Sequence, residues 1–81
     1  MTPAPVTELL EYVARQLVDE PGVVRVEEVE EEGALVLRLH VAADDVGQVI
    51  GRQGRIARAL RTLVRAAGVR ENRRVLLEIV E

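Results

Sequence analysis

Apolar residues recur at helical spacing along the first stretch of the chain. Val6, Leu9, Leu10, Val13, Leu17 and Val18 share one side of a helix predicted over residues 6–18. Pro5 or Thr7 marks its start, and Asp19-Glu20-Pro21-Gly22 stops it. The period then changes to two. Valines interleaved with charge over 23–31 predict a strand, with a slip in the alternation at Glu27-Glu28 where a bulge or frayed end is expected. Residues 34–42 alternate more cleanly, with Leu35, Leu37, Leu39 and Val41 facing one way and Val36, Arg38 and His40 the other. Gly33 supplies a positive φ to the turn between them, so the two strands form an antiparallel hairpin.

A short helix is predicted over 45–50, with Asp44 or Asp45 as its cap and Asp45 and Gln48 at capping-box spacing. Gly51 ends it. Gly54 opens a longer helix that runs to about residue 67 and stops at Gly68. Residues 73–80 read as a last strand, with Val75, Leu77 and Ile79 on one face. The order helix, strand, strand, helix, helix, strand describes a two-layer α+β fold: a three-stranded sheet with helices on one face, forming one domain over 1–81.

Eighty-one residues lie near the lower limit for folding on one core, and without cysteine the 48% of apolar residues must supply the stability. The opening residues lack a basic region followed by an apolar run, and no apolar stretch approaches a membrane span. A soluble, cytoplasmic protein is expected. Taken alone, the net charge of −3 argues against a polyanionic partner. Its distribution reverses that inference. Residues 1–45 hold three arginines against eleven acids, whereas 46–74 hold eight arginines against Glu71 alone. A local field of this kind attracts phosphates whatever the total charge.

The basic half is built around Gly51-Arg52-Gln53-Gly54, a G-x-x-G turn joining two helices. Glycine at both ends permits a sharp turn and removes the Cβ atoms that would block a sugar-phosphate chain. The second glycine leads into a helix N-terminus, where unpaired N–H groups favour an anion. Arg52 and Gln53 at the tip reach phosphates by charge and hydrogen bonding. Two glycines three apart are weak evidence alone, because they often only punctuate helices. Here Arg55, Arg58, Arg61 and Arg65 follow within about 120° of one helix side, opposite Ile56, Ala59, Leu60, Leu63 and Ala67. A merely solvated face would mix signs to form i,i+4 pairs, yet no acid stands between Asp45 and Glu71.

Ile50 followed by Gly51-Arg52-Gln53-Gly54 between two helices resembles the KH-domain signature, and the order of elements is similar to the type II, prokaryotic arrangement. The block from Asp45 to Ala57 resembles the KhpA (YlqC) family of small bacterial KH proteins, and the likeness covers nearly the whole chain. The resemblance implies single-stranded RNA held as about four nucleotides across the loop and an apolar groove. That groove is walled by Val46, Val49, Ile50 and the strand after Gly33. It further implies self-association or pairing with a larger KH protein of the KhpB (Jag) type. The implied role is post-transcriptional regulation or RNA chaperoning, connected with cell shape, cell-wall organisation and division. Ala57 departs from the pattern, since many KH domains place a branched apolar residue there, so a differently shaped groove is expected.

Other chemistry is poorly supplied. The chain lacks serine, cysteine and lysine, which removes the usual nucleophiles, so no enzyme and no cofactor is expected. His40 with Asp44 and Asp45 matches no common metal-ligand spacing. Tyr12, the one aromatic residue, is expected to be a half-buried helix residue rather than a base-stacking one. A protein-interaction module is the competing class, with Val36, Leu76 and Val80 as a modest patch on the outer sheet face. Phosphate and groove contacts do not by themselves read a 2′-hydroxyl, so single-stranded DNA is chemically close to the implied ligand.

Overall fold

The computed structural model describes residues 5–81. Helix α1 (Pro5–Leu17) buries Val6, Leu10 and Ala14, three residues one turn apart, with Thr7 beside them. At about 100° per residue Tyr12 points almost opposite Leu10. It is 64% exposed rather than half-buried, and Leu9 is also largely outside the core. Val13, Leu17 and Val18 pack against the core edge.

Residues Pro21–Val23 form a short 3-10 turn, so strand β1 (Arg25–Glu31) starts later than the valine run implied. It pairs with β2 (Ala34–His40) antiparallel and one-to-one from Arg25↔His40 to Glu31↔Ala34. The expected bulge is absent: Glu28 stays in register on the inner face, where Thr7 Oγ1 of α1 donates a hydrogen bond to its carboxylate. Glu32 and Gly33 both take positive φ, which makes the two-residue turn compatible with the strand twist.

A 3-10 turn at Ala43–Asp45 leads into α2 (Val46–Ile50), and α3 (Arg55–Arg70) follows the loop. The capping box is not formed. Asp45, 2% exposed, instead accepts the backbone N–H groups of Glu20 at 3.1 Å and Asp19 at 3.3 Å. Gln48 Nε2 donates to Asp19 Oδ2 at 3.0 Å. Both side chains thus fasten the α1–β1 connection to α2.

Gly68 does not stop α3. The helix continues to Arg70 and ends where Asn72 takes φ 60°, with Arg73 N–H bonding back to Gly68 O and Asn72 N–H to Val69 O. Gly68 is needed for proximity: a Cβ there would lie 2.6 Å from Val75 Cγ2 and 2.7 Å from Arg73 O.

Strand β3 (Arg74–Val80) pairs parallel with β2, so the sheet order is β1-β2-β3 with β2 central. The three helices cover one face around a core of Leu10, Leu35, Leu37, Leu39, Val64 and Val75. On the other face Val36 is only 7% exposed, and among the three residues expected there Leu76 is the most open at 37%. The row Glu27, Arg38, Glu78 crosses this face as ion pairs. His40 Nε2 lies 3.1 Å from Glu27, away from any trio with Asp44 and Asp45. Among the described residues no group of acidic, His or Cys side chains could hold a metal, and no helix is long and apolar enough to cross a membrane.

Candidate nucleic-acid interface

The loop between α2 and α3 is held by two different constraints. Gly51 adopts φ 76° and ψ 172°, a region essentially confined to glycine, and Ile56 packs against it. Gly54 adopts the left-handed helical conformation, but a Cβ there would meet only Arg58 Nη1 at 3.6 Å. Between them Gln53 is also left-handed at φ 58°, and Gly54 N–H closes the turn on Gly51 O at 3.1 Å. Arg52 and Gln53 are exposed at the tip, as expected. No side chain caps the N-terminus of α3; Arg55 N–H is taken by Arg52 O, and the N–H groups that follow it in the first turn have no side-chain acceptor.

The arginines behind the loop occupy a different position from the expected one. Ala57, Leu60, Val64 and Gly68 are the buried residues of α3, whereas Ala59 is exposed. The buried face is therefore turned towards the arginines. Arg58, Arg61 and Arg65 overhang the seam between α3 and β3, while Arg55 stays near the loop and donates to Gln53 Oε1 at 3.3 Å. Among the described residues, Arg52, Arg55, Arg58, Arg61, Arg65, Arg70 and Arg74 form no ion pair; of the eight arginines in 46–74, Arg73 alone does, with Glu30. A set of cations held close without counter-charges favours a polyanion.

Beside the loop lies a groove of about 420 Å³ lined by Val46, Ile50, Gly54, Ala57, Arg58 and Arg61 on the helical side. Its strand wall is Leu77, Glu78 and Ile79 of β3. The strand after Gly33 does not form it, because β2 is the central strand and β3 is the edge nearest α3. Val49, at 0% exposure, belongs to the core beneath the groove. Ala57 forms a small, buried floor, and the branched Ile56 is spent on supporting Gly51. Leu77 and Ile79 were visible as an alternating pair, but nothing local in the sequence reveals that β3 pairs parallel with β2. Glu78, the acid in the groove, is held by Arg38 Nε at 3.1 Å.

Comparison with known proteins agrees with this architecture. A family model described as the KH domain of KhpA/KhpB matches residues 7–79. The "RNA-binding protein KhpA" of Clostridium acetobutylicum is 53% identical over 73 residues, covering 90% of this chain and 97% of that protein. The protein of the same name from Treponema pallidum is 53% identical over 74 residues, covering 91% and 92%. The expectation of a non-enzymatic protein agrees with these names. Among solved structures, an Era variant of Aquifex aeolicus bound to GDP and aluminium fluoride superposes with TM-score 0.60 at 20% identity. The match covers 96% of this chain but 31% of that one, and it speaks to the fold alone. With the model spanning nearly all of its length and relatives above half identity, the chain belongs to the KhpA/KhpB family of KH domains.

Proposed function

We propose that the chain binds single-stranded RNA, with Arg52, Gln53 and the α3 N-terminus on the phosphates and bases seated in the groove of Val46, Ile50, Ala57 and β3. The observation that carries this reading is the G-x-x-G turn, followed by a helix that no side chain caps, opening onto an apolar groove flanked by arginines without acidic partners among the described residues. The names of the relatives support RNA as the ligand. Arg55, Arg58, Arg61 and Arg65 continue the phosphate contacts, and Val49 sets the depth of the groove from below.

A post-transcriptional role in the cytoplasm, as regulator or RNA chaperone, follows from this reading. So does work as a pair, either with a second copy or with a larger KH protein of the KhpB type; sedimentation with and without that partner tests the pairing. For the site itself, Arg52 and Gln53 are replaced together by aspartate and affinity for short single-stranded RNA is measured. Binding is lost while the circular dichroism spectrum and oligomeric state stay unchanged. Retained affinity overturns the assignment.

A further inference from the structure

We infer that the RNA path does not end at the loop groove but continues along the α3–β3 seam to Arg74, accommodating a strand longer than four nucleotides. The inference rests on the loop being an RNA site. Its own support is the continuity of the surface. The loop groove shares Arg61, Leu77 and Glu78 with a second depression of about 510 Å³. That depression shares Arg65, Val75 and Leu76 with a third, of about 660 Å³, which ends at Asn72, Arg73 and Arg74. Since α3 runs back against β3, the three form one trough along the helix, whose sixteen residues span about 24 Å.

The chemistry of the trough is that of a polyanion track. Arg58, Arg61 and Arg65 line one wall and Arg74 closes the far end, all without ion pairs among the described residues. Arg73 is engaged by Glu30, which leaves Arg74 as the cation at the start of β3 without an ion pair among the described residues. Two acids border the trough. Glu78 is paired with Arg38, which also serves Glu27, and Glu31 stands at the middle depression. Val69, 76% exposed, and Leu76, 37% exposed, offer apolar surface at the far end for a base or ribose.

The β3 edge is open as well. Val41 N–H bonds to Val80 O, so by strand alternation the backbone groups of Val75, Leu77 and Ile79 face away from β2. An added peptide strand would use those groups but would neutralise the overhanging arginines only where its own side chains were acidic. A nucleic acid backbone satisfies them along the whole length, which is why we favour it.

The test measures affinity for oligouridylates of four, six, eight and ten nucleotides, using the full chain, Arg74→Gln and Arg74→Glu. Wild-type affinity rises beyond four nucleotides. Arg74→Gln leaves four-nucleotide affinity unchanged, flattens the rise, and lowers the log–log salt slope on the longest oligomer by about 0.7, the value of one phosphate contact on a single strand. Arg74→Glu flattens it further. A wild-type plateau at four nucleotides, or long oligomers indifferent to both variants as when a peptide takes the β3 edge, overturns the extension and leaves the loop assignment standing. No wild-type affinity at any length overturns the loop assignment and the extension with it.

Discussion

A Cβ atom on Gly51 would sit 2.7 Å from Cγ1 and 2.9 Å from Cβ of Ile56, so the loop's first glycine is held by contact as well as by backbone angle. The second glycine is held by angle alone. Gly51→Ala is expected to lower stability by about 2–4 kcal/mol, combining a glycine-only conformation with overpacking. Gly54→Ala costs only about 1 kcal/mol for a left-handed alanine. Urea midpoints of the two variants check the ranking, and the reverse order would contradict the geometry.

Asp45 is the only described residue whose carboxylate joins α2 to the α1–β1 connection through main-chain N–H groups. Replacing it by alanine leaves the amides of Asp19 and Glu20 without their acceptor, at a cost of about 1–2 kcal/mol. Hydrogen exchange at those two amides should accelerate more than in the sheet. Asp45→Asn, which keeps one acceptor oxygen, should lose less.

Gly68 should defy the usual helix rule. Glycine to alanine inside a helix ordinarily gains about 1 kcal/mol. Here the methyl would meet Val75 and the Arg73 carbonyl, and overpacking of this kind costs about 1–3 kcal/mol. Thermal unfolding of Gly68→Ala should therefore show a lower midpoint than the parent chain.

Glu27 on the outer sheet face has its carboxyl held below the ordinary 4.5, first by the hydrogen bond from His40 and then by Arg38, with burial opposing both. A carboxyl whose folded value is depressed contributes stability that is complete above 4.5 and disappears as pH falls through the folded value. Carbon-13 titration should find Glu27 protonating at lower pH than an unperturbed glutamate. In His40→Ala its midpoint should move back up; an unmoved midpoint would remove His40 as the main cause.

How much of this was legible beforehand depended on whether the signal was local. The Leu35, Leu37, Leu39 alternation and the two-residue turn at Gly33 placed the hairpin, because period and turn chemistry are written in adjacent residues. The loop was legible for the same reason. The strand wall of the groove was not, since the parallel pairing of β2 with β3 is a long-range choice that neither strand encodes alone. Alanine and glycine also misled. Ala14, Ala57 and Gly68 are buried because close helix approach needs small residues, yet a periodicity traced through the large apolar side chains passes over them. Asp45 looked like a helix cap because capping spacing and a distant tether use the same side chain.

The sheet order has a kinetic consequence. β1 carries four glutamates on one edge of the sheet, and the unpaired arginines gather by the opposite edge, so the molecule is a dipole more than a net anion. The two edges lie two strand spacings apart, about 10 Å, just beyond the roughly 8 Å over which charges are screened in physiological salt. An approaching strand therefore senses whichever end it nears, and the acidic edge turns it away while the arginine end captures it. Encounter is thereby oriented before any base is read, and lowering the salt should sharpen that orientation in the association rate.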